Sequence, residues 1–307
     1  MGIRTIANDR LTVEIETLGA QPKSIRDAAG HEYLWQGDPT YWKGRATNLF
    51  PFVGRMKGQR YTLFGQTYEM GCHGFARGME FSVCEESGDE VVFLLCDNEE
   101  TRAQYPYRFA FRIRYRLMEN RLEITYQVEN GDDKKMYFAV GGHPGFFVPM
   151  EQGLSFEDYV LEFAGEATAE NGKTERLDPS AVERVHMSER ALPDGFVPFA
   201  LEGGRRLPLR HDLFNEDAVV LKNMTRRVAL YSPKGKRRIT VDFPQMPYVG
   251  FWHANRTDAP YVCIEPWSTL PGWDETDEDF EKQADMLHLN PGETYRNTWG
   301  ITVEDGR

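Results

Sequence analysis

The sequence predicts an all-β protein built as a large antiparallel β-sandwich. Short runs of apolar, β-branched and aromatic residues recur along the 307 residues, separated by turns rich in Gly, Pro, Asn and Asp. Helical periodicity is nearly absent, and no solenoid-type repeat is seen. Such a pattern is typical of two packed antiparallel sheets. Because all-β domains can be large, we expect one domain spanning residues 1–307.

The first half of the chain contains the clearest elements. Residues 11–16 alternate apolar and polar side chains, which predicts a strand with one buried face. Residues 109–117 and 121–129 form the clearest hairpin, turning at positions 119–120. Asn98 followed by two glutamates predicts a short helix over residues 98–104. Further strands are expected at Arg60–Leu63, Thr67–Met70, Met79–Glu85 and Glu90–Cys96.

The second half is less regular. Residues 151–208 are more acidic and looser, and we interpret them as extended connections over an existing sheet, with strands at 159–163 and 196–199. Residues 274–283 predict a short helix or a turn. The remaining strands are expected at Asp217–Leu221, Val228–Tyr231, Ile239–Phe243, Tyr248–Trp252 and Thr294–Val303, with another running up to Glu265.

Composition excludes several classes of protein. The formal charge is −12, from 36 basic and 48 acidic residues, and no basic stripe stands out, so we expect no nucleic-acid partner. The same acidity argues against anionic membranes. None of the four cysteines forms a CxxC pair, which favours free thiols and a cytoplasmic location. No signal peptide or membrane-spanning apolar run is apparent.

One acid occupies a conspicuous place near the C-terminus. Glu265 follows the apolar run 261–264 and precedes Pro266 and Trp267, so we place it at the last buried step of a strand. Burial raises the pKa of a carboxyl group, and this change makes a glutamate a general base at neutral pH. The alternative is an acid that faces solvent where the strand ends, which is the commoner fate of Glu.

Three other stretches share the pattern of an apolar run, then an abrupt polar residue beside Gly or Pro: Gly54-Arg55, Cys72–Arg77 and Gly142–Phe147. His143, held between Gly142 and Pro144, is the stronger candidate for chemistry because histidine titrates near neutral pH. His73 could instead be a core histidine satisfied by a carbonyl. The arginines could be surface ion-pair residues, and Trp267 could be an ordinary core aromatic.

A metal centre is the alternative for the same residues. His73, His143, His253 and Glu265 could form a facial set of histidines and a carboxylate. No two histidines have HxH or HxxxH spacing. We therefore expect no metal ligands and no cofactor.

The order and spacing of these segments resemble the aldose 1-epimerase (galactose mutarotase) superfamily, nearest to its LacX-like members. The segments are Leu49-Phe50-Pro51 with Gly54-Arg55, His73-Gly74-Phe75-Ala76-Arg77, Gly142-His143-Pro144, Cys263-Ile264-Glu265-Pro266-Trp267 and the closing Leu289-Asn290-Pro291-Gly292-Glu293. The resemblance covers nearly the whole chain. It implies a β-supersandwich and a cofactor-independent isomerase that acts on a monosaccharide.

The resemblance also implies a role for each site residue. Glu265 matches the general base and His143 the general acid of α/β-anomer interconversion, which we expect on opposite sides of one sugar. His73 and Arg55 match residues that hold sugar oxygens. The other positions expected at the substrate are Asp217, which matches an aspartate that binds sugar hydroxyls, Arg77 and Trp267.

Two alternatives to a free-sugar epimerase stay open. Arg77 belongs to an HGFAR form of the motif that is shared with the hexose-6-phosphate 1-epimerase branch, so the substrate could be a sugar phosphate. Trp267, a bulky apolar residue next to the base, favours a neutral sugar. The second alternative is a sugar-binding or regulatory protein that has the fold but no turnover.

Overall fold

The computed structural model describes residues 2–168 and 172–306. In these residues the strands, in chain order, are β1 (Ile3–Ala7), β2 (Leu11–Glu16), β3 (Pro22–Asp27), β4 (Ala46–Leu49), β5 (Arg60–Leu63), β6 (Gln66–Glu69), β7 (Ser82–Glu86), β8 (Glu90–Cys96), β9 (Phe109–Met118), β10 (Arg121–Asn130), β11 (Met136–Phe138), β12 (Gly141–Phe147), β13 (Val160–Phe163), β14 (Glu166–Thr168), β15 (Thr174–Arg176), β16 (Glu183–Met187), β17 (Pro193–Pro198), β18 (Arg206–Pro208), β19 (Val219–Lys222), β20 (Arg227–Tyr231), β21 (Arg238–Asp242), β22 (Tyr248–Trp252), β23 (Tyr261–Trp267), β24 (Glu278–Asp279), β25 (Leu287–Leu289) and β26 (Thr294–Glu304).

Helical structure in the described residues is short. It consists of the α-helix α1 (Glu99–Gln104) and of 3₁₀ turns at Lys57–Gln59, Ala76–Gly78, Phe156–Asp158 and His211–Phe214. None of these helices has the length and apolar character needed to cross a membrane. The prediction of an all-β protein is confirmed.

Two large antiparallel sheets dominate the architecture. One has nine strands in the order β18-β13-β20-β21-β26-β10-β9-β8-β7, and the other has seven in the order β17-β16-β19-β22-β23-β12-β4. One apolar cluster contains side chains from both sheets. Tyr126 of β10 donates a hydrogen bond to Asn48 Oδ1 of β4 at 2.8 Å and also contacts the Gly141 carbonyl of β12 at 3.1 Å. These contacts join the sheets as the predicted sandwich.

The strongest local signals gave the correct elements. The alternating residues of β2 are buried at every second position, and β9 and β10 pair along their length with Met118 opposite Arg121. The short helix begins after Asn98, whose side chain accepts a hydrogen bond from the Thr101 main chain at 2.9 Å. Each of these elements is specified by residues close together in sequence, so it could be predicted without the tertiary structure.

The interpretation of residues 151–208 was wrong in one respect. They do not merely run over an existing sheet: β13 and β18 extend the nine-stranded sheet, while β16 and β17 form one edge of the seven-stranded sheet. β17 and β18 are the edge strands of their sheets, and β13 and β16 are short strands next to them, so none of the four carries a long alternating pattern. Residues 274–283 contain turns and the short strand β24, which pairs in parallel with β5.

Glu278 of β24 gives the fold a pH dependence that can be measured. Its side chain is buried, and burial together with nearby Asp285 raises its pKa from 4.5 to about 7. A raised pKa means that the folded state holds the proton more tightly than the unfolded state. Proton binding by Glu278 therefore adds to the free energy of unfolding at low pH, and this contribution is lost as pH rises through about 7.

We expect Glu278→Gln to stabilise the protein at about pH 8 by roughly 1–3 kcal/mol and to change little at about pH 5. The amide removes the cost of burying a carboxylate. The measurement is the free energy of unfolding from denaturant titrations at both pH values, with the exposed Glu275→Gln as control. An equal difference at both pH values would contradict this expectation.

Candidate active site

His143 of β12 and Glu265 of β23, the proposed acid and base, lie on adjacent strands. β12 and β23 are antiparallel, with Gly141 paired to Trp267 and Gly145 paired to Cys263. Continuing this register places His143 directly opposite Glu265. β12 and β23 form no backbone pairing at residues 142–144. Pro144 and Pro266 lie in this part of the two strands and have no N–H to donate.

Glu265 lies inside β23 rather than at its end, so that expectation was wrong. All seven residues from Tyr261 to Trp267 are buried strand residues. Pro266 is tolerated because it lies where the ladder towards β12 is already interrupted, and it still has Val249 of β22 as its Cα partner. Since side chains alternate along a strand, Glu265 shares the sheet face that carries Tyr261 and Cys263, opposite the main core.

The acid and the imidazole are in direct contact at the floor of a cavity of about 220 Å³. His143 Nε2 lies 3.3 Å from Glu265 Oε2. The two residues are only 7% and 2% exposed. We expected them on opposite sides of a sugar; in the structure the two side chains touch each other. Both can still serve C1, because the ring oxygen and the hydroxyl oxygen are bonded to that one carbon.

Burial favours the uncharged form of both members of this pair. It raises the pKa of Glu265 well above its usual range, and the negative charge of Asp217 adds to the rise, whereas the Trp267 indole opposes it. Burial also lowers the pKa of His143 to about 3, with a further contribution from Arg77. Burial therefore favours a protonated carboxyl group on Glu265 beside a neutral His143 imidazole.

His73 is fixed by hydrogen bonds to the loop after β4. Its main-chain N–H donates to the Gly54 carbonyl at 2.8 Å, and the Gly54 N–H donates to His73 Nδ1 at 3.0 Å. Because Nδ1 accepts a hydrogen bond, the proton of the neutral ring is on Nε2. Burial, the neighbouring His143 and two arginines hold the pKa of His73 well below its usual value. His73 is therefore a neutral donor at the cavity wall.

Arg55 and Asp217 form an ion pair on the same wall. Arg55 Nη1 lies 2.7 Å from Asp217 Oδ2, and the two side chains are 53% and 12% exposed. Asp217 Oδ1 also accepts the Ala218 main-chain N–H at 2.8 Å. The pair presents a fixed guanidinium and a fixed carboxylate beside Glu265, an arrangement suited to sugar hydroxyl groups.

All seven residues expected at the substrate line this one cavity, including Arg77 and Trp267. Gly54 and Cys72, which also line the cavity, belong to stretches that the sequence had singled out. The sequence reading missed seven further lining residues: Trp42, Thr47, Met187, Ala191, Ala218, Trp252 and Pro271. Most of them lie on loops, where no periodic pattern marks a residue as facing a site. Trp42 and Trp252 are aromatic residues whose identity alone does not distinguish cavity from core.

The alternative metal set is not assembled. His253 lies outside the cavity lining, where it contacts His211 Nδ1 at 3.1 Å and its neighbouring carbonyl at 2.8 Å. A different trio, His143, Cys263 and Glu265, brings its donor atoms within 4.8 Å of one another. Burial raises the pKa of Cys263 well above its usual range, so the thiolate that a soft metal requires is disfavoured.

The family model described as aldose 1-epimerase matches residues 3–302. The chain belongs to the aldose 1-epimerase family. It is 33% identical over 311 aligned positions to the chromosomal protein LacX of Lactococcus lactis subsp. lactis, covering 97% of this chain and 98% of that protein. Within the family, the chain therefore falls in the LacX-like branch.

Solved structures agree with the family assignment. A galactose mutarotase related enzyme from Lactobacillus acidophilus superposes with a TM-score of 0.88 at 35% identity, covering 98% of this chain and 97% of that one. A galactose mutarotase-like protein from Lactobacillus casei gives a TM-score of 0.88 at 31% identity, covering 98% and 100%. The similarity to mutarotase-like structures supports the general function of an aldose epimerase-type protein.

Proposed function

We propose that this aldose 1-epimerase family member interconverts the α and β anomers of a free aldose by acid–base ring opening. The observation that carries the proposal is the contact between Glu265 and His143, both nearly inaccessible to water, in a cavity that also holds the Arg55–Asp217 pair. The reaction needs one group to take a proton and another to supply one. It requires no cofactor.

The proton that burial keeps on the Glu265 carboxyl group accounts for the roles of both residues. Transfer from Glu265 to His143 creates a carboxylate and an imidazolium. Glu265 then takes the proton of the C1 hydroxyl while His143 gives its proton to the ring oxygen, and the C1–O bond of the ring breaks. Afterwards Glu265 is protonated and His143 is neutral, the state that burial favours. Rotation about C1–C2 and the reverse steps close the ring on the other face.

The remaining cavity residues hold the sugar during ring opening. His73 would donate from Nε2 to a sugar oxygen, and Arg55 would donate from its guanidinium. Asp217 would accept from a hydroxyl group. Such preorganised partners stabilise charge as it shifts between the hydroxyl and ring oxygens.

Polarimetry on freshly dissolved α-D-glucose and α-D-galactose tests the proposal. We expect the protein to speed the approach to the anomeric equilibrium well above the rate in buffer, with no change on adding a chelator. A protein that binds either sugar in calorimetry yet leaves the rate at the buffer value would instead be a non-catalytic sugar-binding protein.

A specific observation favours a sugar phosphate as the second candidate substrate. Arg77 lines the cavity, and among residues 2–168 and 172–306 no carboxylate lies within ion-pair distance of its guanidinium. An arginine without an acidic partner is suited to a phosphate group. Trp267, which lines the same cavity, favours a neutral sugar instead.

We expect kcat/KM to be higher for glucose than for glucose 6-phosphate, because the apolar Trp267 ring and Asp217 both disfavour an added anion. Coupled assays on the two sugars measure the ratio. A preference for the phosphate would reverse the assignment. In that case Arg77→Ala should lower kcat/KM for the phosphate by roughly 10- to 100-fold, and Arg77→Lys by less.

A further inference from the structure

His143 lacks the usual means of orienting a histidine that transfers protons. Its Nδ1 lies against its own main chain and makes no hydrogen bond to another described residue. In most proton-transfer sites a carboxylate or carbonyl on the second ring nitrogen fixes the imidazole. Contact of Nε2 with Glu265 is a single long interaction of 3.3 Å. Another part of the protein must hold the ring in place.

Three rings surround the imidazole, those of Trp42, Trp252 and His73, and the His73 ring meets it edge-on at 5.3 Å and 79°. The Trp42 ring stacks on His143 with centroids 4.7 Å apart and an interplanar angle of 24°. Trp252 meets the imidazole edge-on, at 5.8 Å and 82°. A flat ring between a stacked face and a perpendicular edge cannot rotate without displacing one of them. These contacts therefore do the orienting that a hydrogen bond does elsewhere.

Trp42 is itself held on several sides, although it belongs to a loop. The Trp35 indole N–H donates to the Trp42 carbonyl at 2.8 Å. The Tyr261 ring lies nearly parallel to that of Trp42, at 5.9 Å and 27°. Two glycines make room for the ring: a Cβ at Gly44 would lie 2.5 Å from Trp42 Cε2, and one at Gly145 would lie 3.2 Å from Cζ3. The backbone is thus shaped around this indole.

We propose that Trp42 is a positioning residue for proton transfer, whose ring holds the His143 imidazole against Glu265 and keeps water from the pair. This inference rests on the proposed function, and it adds a residue from the loop before β4 to the acid–base machinery. Fixing a reacting group within a fraction of an ångström is worth large factors in rate, and exclusion of water strengthens the interaction between the two groups.

The protonation state of His143 supports this role. The pKa of His143 is low mainly because the ring is buried, with a further contribution from Arg77, and the Trp42 ring is stacked on one of its faces. Removing the indole admits water to that face, which relieves the penalty on the charged form. The pKa of His143 should then rise towards its usual value, a change that can be followed without any turnover.

The experiment compares Trp42→Ala, Trp42→Phe and Gly44→Ala with the wild type. Gly44→Ala is informative because it leaves the indole in the chain but forces it away from its place. Gly88→Ala is the matched control, since a Cβ there meets nothing within 4 Å. The readouts are kcat and KM for mutarotation, and the histidine ring-proton signals in NMR titrations of each folded variant.

We expect kcat to fall about 10- to 100-fold in Trp42→Ala and Gly44→Ala, with KM changed by less than about threefold. Trp42→Phe should recover most of the loss, and Gly88→Ala should match the wild type. In the wild type His143 should not titrate above about pH 5, whereas in Trp42→Ala it should titrate nearer its usual value of about 6.5.

Three results would overturn the inference. They are a kcat within about twofold of wild type in both disruptive variants, a rise in KM alone, which would make Trp42 a sugar-binding surface, or an unchanged His143 titration in Trp42→Ala. If the wild type itself shows no mutarotation, the proposed function fails. The NMR titrations still decide whether Trp42 controls His143.

Discussion

Replacing Glu265 by Gln is expected to lower kcat/KM for mutarotation by about 10³- to 10⁴-fold while leaving the dissociation constant for the sugar nearly unchanged. The amide keeps the shape of the side chain but can neither take the hydroxyl proton nor exchange a proton with His143, which lies 3.3 Å away. Polarimetry gives the rate, and calorimetric titration gives the affinity.

Stability provides the internal control for this variant. The pKa of Glu265 is raised in the fold, so its ionisation opposes folding as pH increases, and Gln removes that cost. Glu265→Gln should therefore unfold at the same or a higher denaturant concentration than wild type at about pH 8. Glu69→Gln, at an exposed position of β6, should change neither property. Mutarotation retained within about tenfold would remove Glu265 from the mechanism.

Replacing Gly74 by Ala is expected to cost about 3 kcal/mol or more of folding free energy and to reduce activity at least tenfold. Gly74 has a φ of +70°, and an added Cβ would lie 2.5 Å from the Phe50 carbonyl carbon and 2.7 Å from the Pro51 nitrogen. These are main-chain atoms, so no side-chain rotation relieves the overlap. The preceding residue is His73, whose hydrogen bonds to Gly54 depend on the same close approach.

Alanine substitutions at Gly65 and Gly78 distinguish the two causes of the lost stability, backbone strain and steric overlap. Gly65 also has a positive φ, +73°, but a Cβ there meets nothing within 4 Å, so Gly65→Ala measures backbone strain alone. Gly78 has neither feature and should tolerate Ala. Denaturant unfolding of the three variants should rank Gly74→Ala far below the others, with Gly65→Ala losing about 1–2 kcal/mol. Equal losses at Gly74 and Gly65 would show that the overlap relaxes.

Elements defined by nearby residues were the most predictable. The β9–β10 hairpin and the capped helix α1 were correct because their signals, an alternating pattern and an N-cap, lie within a few residues. The strands of residues 151–208 were assigned to the wrong context. Their partners are far along the chain: β13 pairs with β20, and β16 pairs with β19. The sheet to which such a short strand belongs is decided by those distant partners.

The candidate site was also predictable only in part: its residues were identified, but their positions in the sheet were not. The sequence picked out Glu265, His143 and the residues expected to hold sugar oxygens, because a polar side chain interrupting an apolar run is visible locally. It placed Glu265 at a strand end, since Pro266 normally weakens pairing. The structure keeps Pro266 within β23 because the neighbouring β12 carries Pro144 where the ladder is already interrupted. The spacing of residues in the sequence does not reveal that Pro144, on another strand, lies near Pro266.

The sequence by itself determined the all-β class, the family resemblance and the chemical types of the residues that could act, since these depend on composition, alternation and motif order. Only the tertiary structure decided that His143 and Glu265 are cross-strand neighbours, that Trp42 stacks on the imidazole, and that burial favours the uncharged form of both acid and base. Contact and desolvation depend on groups distant in sequence, and a pKa follows from both.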